Sequence, residues 1–248
     1  AREWQAFWLA LGFLTRVPML VPIRYSRELM NQSSVYFPLV GLLLGALYVC
    51  LFGLISLALS PLASMLLVLC FHLWITGAFH EDGLADSMDA LGGGYTLEAR
   101  LRIMKDSRIG TYGTVALVLA LALKASLLLD SDNLWLALLV APCVSRLTPL
   151  LLMRYMPYVT DPDKSKSKPV ADSFSAERLL AAGGFDLAVI VVLSLWSPGL
   201  ILWSLIAVGL VAGLWGLNLR KNLGGYTGDA LGASVVFSEL VLLMGLTV

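Results

Sequence analysis

Seven apolar runs, most of them close to twenty residues long, constrain this chain more than any other feature. They cover 35–59, 61–79, 112–129, 134–153, 179–197, 200–217 and 230–248. A bilayer core of about 30 Å needs about 20 apolar helical residues, and inside lipid a helix satisfies its own backbone. An eighth run, 4–20, is shorter and contains Arg16, so it either spans or lies in the interface. The composition agrees, at 58% hydrophobic and 14% charged residues, well above the apolar content of a soluble domain. The expected fold is an all-α polytopic transmembrane helical bundle of seven or eight membrane helices, forming one integral membrane domain over 1–248. Breaks at Ser60-Pro61, 130–133 and Ser197-Pro198-Gly199 suit tight turns between antiparallel helices.

Lysine and arginine placement orients such a bundle, because cytoplasmic loops carry their excess. Of 17 basic residues, 14 fall in loops 21–34 (with the neighbouring Arg16), 80–111, 154–178 and 218–229. The three short turns between the other run ends carry none. The long loops are therefore expected to be cytoplasmic. The formal net charge is zero, which argues against a nucleic-acid partner. Cys50, Cys70 and Cys143 sit in apolar runs without CxxC or CxxH spacing and read as small hydrophobes. The first run has no small-residue cleavage site, so a removed signal peptide is not expected.

Loop 80–111 opens with HEDGLADSMD. A helix is predicted over about 81–91, stopping at Gly92-Gly93-Gly94 where positive φ suits a helix end. A second begins at Thr96, a good N-cap with Glu98 in its first turn. At about 100° per residue, Asp82, Asp86 and Asp89 fall within an arc of about 60°. Three carboxylates on one stripe repel unless a cation neutralises them. Clustered oxygen ligands suit Mg²⁺, which takes one or two carboxylates together with substrate phosphates and water. A solvated acidic face is the bland alternative. Glu81 lies about 100° off the stripe and His80 on the opposite face, where orientation or proton transfer fits better than metal ligation.

Two further polar cassettes open membrane helices. In KDSRIGTYG, 105–113, Lys105 and Arg108 offer phosphate contacts, Ser107 and Thr111 offer hydroxyls, and Gly110 and Gly113 expose backbone N–H groups. In GGYTGDALGA, 224–233, Thr227 and Asp229 are positioned to close a phosphate or metal site; the alternative is a flexible loop with Asp229 as N-cap. The shared GGYT at 93–96 and 224–227 is too short for a repeat. Lys124, Arg146 and Glu239 lie inside apolar runs and are expected to converge, as a structural ion pair or a pocket for an anionic substrate. His72 reads as a packed histidine.

FLTRVP (13–18), FPLVGLLLG (37–45), FHEDGLADSMD (79–89), DSRIGTYG (106–113), VSR (144–146) and GGYTGDALGA (224–233) together resemble the cobalamin synthase, or adenosylcobinamide-GDP ribazoletransferase, family. The resemblance runs in order over nearly the whole chain; segment 154–178, with its KSKSK run, carries none of it. It implies a Mg²⁺-dependent enzyme of the cell inner membrane, multi-pass, with its site facing the cytoplasm. Adenosylcobinamide-GDP would join α-ribazole or its 5′-phosphate, giving adenosylcobalamin or its phosphate and GMP. On this reading Asp82 and Asp86 bind Mg²⁺, and Asp89 is a ligand or holds metal-bound water. Lys105, Ser107, Arg108, Thr111, Arg146 and Thr227 contact substrate. Asp229 serves a second metal or is the general base toward the ribazole 5′-hydroxyl, with His80 its competitor. The partners are the two small molecules and membrane lipid, with a homo-oligomer or other corrinoid-pathway enzymes as further associations.

Two rivals use similar residues. A secondary transporter of an anionic substrate also carries intramembrane charge, but concentrates its polar groups near the midplane rather than in loops. A CDP-alcohol phosphotransferase uses a D-G-x-x-A-R motif; here Ala85 is followed by Asp86 and not arginine.

Overall fold

The computed structural model describes residues 2–159 and 174–247; Lys164, Lys166 and Lys168 of the KSKSK run lie outside them. The described residues form an all-helical bundle. In chain order its helices are α1 (Arg2–Leu14), α2 (Arg27–Ser33), α3 (Phe37–Ile55), α4 (Pro61–Thr76), α5 (Phe79–Gly93) and α6 (Leu97–Ile103). They continue with α7 (Thr111–Asp130), α8 (Leu134–Val144), α9 (Leu147–Tyr155), α10 (Ala176–Leu193), α11 (Leu200–Leu223) and α12 (Gly228–Gly245).

Five stretches are long and apolar enough to cross a bilayer: Arg27–Ile55, Thr111–Asp130, Leu134–Tyr155, Leu200–Leu223 and Gly228–Gly245. The bent pair α4–α5 makes six if it counts as one broken span. The seven or eight expected are thus not reached, for three local reasons. α1 has 13 residues. α10 has 18 but carries Glu177, Arg178 and Asp186. α4 has 16 residues and turns by 86° into α5.

The helix ends nevertheless segregate as the basic residues predicted. At one end Arg100 Nη1 donates to the Asn222 carbonyl (2.9 Å) and Arg220 Nη2 to the Tyr155 carbonyl (3.0 Å). There too Arg178 Nη1 donates to the Gln32 carbonyl (2.6 Å), tying together all four basic loops. At the other end Asn133 Nδ2 donates to the Trp196 carbonyl and Ser131 Oγ to the Leu246 carbonyl. Turn chemistry matches: Ser60, Thr96, Ser175 and Thr227 each cap the helix that follows, with a side-chain oxygen accepting a backbone N–H three residues on.

α12 and the α8–α9 pair form the buried centre, and α7 and α11 face outward. Lipid tails are as apolar as leucine, so close packing and not hydrophobicity joins the spans. The tightest crossing is α3 on α8, where Gly41 and Gly45 sit one turn apart. A Cβ on Gly41 would lie 2.0 Å from the Pro142 carbonyl oxygen, and one on Gly45 2.4 Å from that of Leu139. Cys143 does more than fill space, since its Sγ donates to Asp186 Oδ1 at 3.1 Å.

The feature that places the acidic motif is the α4–α5 break. Gly77 (φ 66°) and Ala78 (φ 54°) are both left-handed, which turns the chain sharply while Ala78 N–H still reaches the Leu73 carbonyl at 2.8 Å. A left-handed alanine costs about 1–2 kcal/mol, so packing elsewhere must hold it. α5 itself, 15 residues or about 22 Å long, is too short to span. It tucks instead between α12 and α7, its most extensive neighbours. It starts and ends two residues beyond its predicted bounds, running through Gly92 and Gly93 to a Gly94 cap of ordinary φ (−101°). The glycine run therefore serves close approach: a Cβ on Gly92 would strike the Tyr112 ring.

Candidate active site

Three helix ends meet at α5. Gly83 lies against the first turn of α12 so closely that a Cβ there would be 2.6 Å from the Asp229 carbonyl oxygen. This contact brings Asp229 beside the acidic stripe, a proximity that the 145 residues between Gly83 and Asp229 conceal. Asp82 is exposed and Asp86 and Asp229 are half-buried, and the three carboxylates lie close enough for the charges of Asp82 and Asp229 to act on Asp86. Asp86 records the crowding. Burial first, then the charges of Asp82, Asp229 and Asp89, push its carboxyl up to about 7.

Asp89 stands apart from this group. One of its oxygens accepts Gly110 N–H at 2.6 Å and the other Gly113 N–H at 2.8 Å. It is buried, and it acts as the cap that Gly110, lacking a side chain, cannot supply to α7. The glycines are required by this approach, since a Cβ on Gly113 would come 2.4 Å from an Asp89 oxygen. Each carboxylate oxygen thus accepts one backbone N–H, which gives Asp89 a structural role in holding the start of α7. The stripe spacing could not reveal this, because Asp89 shares its face with Asp82 and only the return of α7 distinguishes them.

The loop so anchored carries Lys105, Ser107, Arg108 and Thr111, all exposed. Arg108 forks onto Asp106, with Nη2 at 2.7 Å and Nε at 3.0 Å, and together with the Arg108 backbone N–H it holds the Asp106 carboxyl down to about 2. An incoming phosphate would compete with Asp106 for that guanidinium. Lys105 is exposed, makes no ion pair among the described residues and is the freer cation.

Three predicted site residues lie elsewhere. Thr227 is buried, its hydroxyl accepting Ala230 N–H at 3.1 Å as the α12 cap, so it shapes the turn before Asp229. His80 is buried beside Phe79, against the backbone of α12 near Gly232, away from the aspartates. Arg146 is fully buried and donates to the Pro142 carbonyl. It converges with Lys124 and Glu239 as expected: Lys124 Nζ lies 2.5 Å from one Glu239 oxygen and Arg146 Nη1 3.9 Å from the other. Glu81, off the acidic stripe, and His72, read as a packed histidine, contact each other at 2.9 Å and meet the cluster where Lys124 Nζ lies 3.5 Å from His72 Nε2. The one sequence signal for that pair was a histidine and a glutamate each too polar for its surroundings.

Among the described residues no three His, Cys, Asp or Glu side chains gather closely enough to hold an ion unaided. The donor set nonetheless fits Mg²⁺, which needs few protein carboxylates and completes its shell with substrate phosphate and water. Asp82, Asp86 and Asp229 supply oxygens only, and their mutual repulsion is what a cation relieves.

The family described as cobalamin-5-phosphate synthase matches residues 6–247. The adenosylcobinamide-GDP ribazoletransferase of Shewanella halifaxensis is 42% identical over 248 residues, covering 96% of this chain and 93% of that protein. The same-named protein of Vibrio parahaemolyticus is 42% identical over 98% of this chain and 92% of its own. No solved structure matches.

Proposed function

The chain belongs to the cobalamin-5-phosphate synthase family, a membrane transferase of cobalamin synthesis, and we propose that it joins adenosylcobinamide-GDP to α-ribazole or its 5′-phosphate with Mg²⁺ at the cytoplasmic face of the inner membrane. What supports the reading is the proximity of Asp82, Asp86 and Asp229, together with the tie of the Lys105–Thr111 loop to the same helix through Asp89. Cations and carboxylates together suit a diphosphate substrate: its anionic oxygens would bind the loop and reach the carboxylates through a shared divalent ion.

In the reaction, an acceptor hydroxyl of the ribazole forms a bond to the phosphorus that bears the cobinamide. The P–O bond to GMP breaks, and GMP leaves with the electron pair. A ribazole already phosphorylated at its 5′ position is an equally good acceptor in this scheme, so the attacking oxygen is a ribose hydroxyl other than the 5′, in place of the 5′-hydroxyl first considered. Asp82 and Asp86 would hold Mg²⁺, which when bound neutralises charge on the transferring and leaving oxygens. Asp229, half-buried in the first turn of α12, would take the hydroxyl proton. His80, the other candidate base, and Arg146 are buried, which favours Asp229 as the base and the exposed loop residues as the substrate contacts. Lys105 and, once released from Asp106, Arg108 would bind the diphosphate; Ser107 and Thr111 would add hydroxyl contacts.

The transporter reading loses support, because Lys124 and Glu239 are paired with each other and Arg146 sits fully buried beside them. Purified protein incubated with adenosylcobinamide-GDP, α-ribazole and Mg²⁺ should release GMP, and Asp82→Asn should abolish most of it. Normal turnover by Asp82→Asn at saturating Mg²⁺ would overturn the metal assignment.

A further inference from the structure

Six helical segments contribute one side chain each to a single buried polar cluster. Tyr48 (α3) Oη lies 2.8 Å from His72 (α4) Nδ1, and His72 Nε2 lies 2.9 Å from Glu81 (α5) Oε1. Lys124 (α7) is 3.5 Å from His72 Nε2 and bonds Glu239 (α12), which faces Arg146 at the α8–α9 junction. The imidazole thus bridges the Tyr48 hydroxyl and the Glu81 carboxylate. Around it two carboxylates, Glu81 and Glu239, are matched by two cations, Lys124 and Arg146. Glu81 Oε2 and Arg146 Nε and Nη2 lack a direct partner among the described residues. Cavities of about 20 Å³ beside Arg146 and beside His72 each have room for about one water.

We propose that Glu81, through His72, is a positioning residue that sets the rotation of α5 so that Asp82 and Asp86 face Asp229. Glu81 and Asp82 are consecutive and point about 100° apart, so pinning one inward fixes the direction of the other. Asp89, bound to the start of α7, holds the opposite end of α5. The two ties are eight residues, about 12 Å, apart. Each lies on a different neighbour, so a helix held at both can neither roll nor slide. The strained Gly77–Ala78 break shows the need, since the chain entering α5 is bent into an unfavourable conformation that only fixed packing sustains. The consequence for metal binding rests on the Mg²⁺-dependent reading above; the consequence for α5 does not.

The test must separate the tether from the charge balance, because removing one buried charge leaves another uncompensated. Two full-length double variants do so: Glu81→Leu with Lys124→Met, and Glu81→Gln with Lys124→Met. Both remove one charge of each sign, but only glutamine keeps an acceptor for His72. Backbone amide exchange across 79–93 should speed by about tenfold in the leucine variant, return toward the parent in the glutamine variant, and stay unchanged over α12 in both. The Mg²⁺ concentration for half-maximal GMP release should rise by about tenfold in the leucine variant alone. Equal α5 exchange in the two variants would overturn the proposal. If the parent released no GMP with Mg²⁺, the reaction reading would fail, while the exchange result would still decide the role of Glu81.

Discussion

Replacing Asp89 separates two accounts of the acidic stripe. The structure gives this carboxylate two charge-assisted hydrogen bonds from the first turn of α7, at 2.6 and 2.8 Å, in a buried position. Hydrogen bonds to a charged group contribute about 1.5–3 kcal/mol each, and loss of a helix cap typically costs about 1 kcal/mol. These overlap, because the bonds are the cap, so Asp89→Ala is expected to destabilise by about 3 kcal/mol. At ~2–4 °C per kcal/mol for a chain of this size, the melting midpoint should fall by about 6–12 °C. Asp89→Asn retains one acceptor but turns an amide NH₂ toward the second N–H, and should lose at least half as much. The assay is near-ultraviolet circular dichroism during heating in detergent, with a Mg²⁺ titration of GMP release on the same samples at a temperature where all remain folded. The capping account predicts an early melt for both variants, and for Asp89→Asn little change in the Mg²⁺ requirement. An Asp89→Asn protein that melts with the parent but needs tenfold more Mg²⁺ would refute it and restore Asp89 as a ligand.

Three other outcomes follow from the same geometry. Asp86 has a folded-state carboxyl raised to about 7, so its contribution to stability without metal is present below about pH 4, its unfolded range, and is lost as pH rises through 7. The melting midpoint of the parent relative to Asp86→Asn should therefore drop between pH 5 and about 8, and added Mg²⁺ should recover it; a pH-independent difference would show that Asp86 is not crowded. Gly41→Ala places a methyl 2.0 Å from the Pro142 carbonyl oxygen and should cost about 1–3 kcal/mol by forcing α3 off α8, whereas alanine at Gly53, which meets nothing, should be tolerated in the same melt. Arg108→Ala should raise the KM for adenosylcobinamide-GDP several-fold without moving the melting midpoint, because its pair with Asp106 is solvent-exposed; unchanged kinetics would remove Arg108 from the diphosphate contacts.

Much of the architecture could be read directly from residue order. Bilayer thickness and backbone hydrogen bonding leave apolar runs little choice but helices, and lysine and arginine placement sorted the loops to two ends that hydrogen bonds then confirm. Capping chemistry is local too, so Thr96 announced α6. Helical spacing put Asp82 and Asp86 on one face, and the cost of charge in lipid foretold the meeting of Lys124, Arg146 and Glu239. Tertiary structure alone decided the rest. The 86° break at Gly77–Ala78 reduced the count of crossings and set the predicted helix of the acidic motif within the bundle, against α12 and α7, and not in an outlying loop. Asp229 reached the stripe because Gly83 admits the α12 backbone, and Asp89 left it because α7 returns to lay two N–H groups on its oxygens. Periodicity assigns a side chain to a face of its own helix. What that face meets depends on how distant helices cross, and at this site the crossings decide which carboxylates stay open for chemistry and which hold the helix in place.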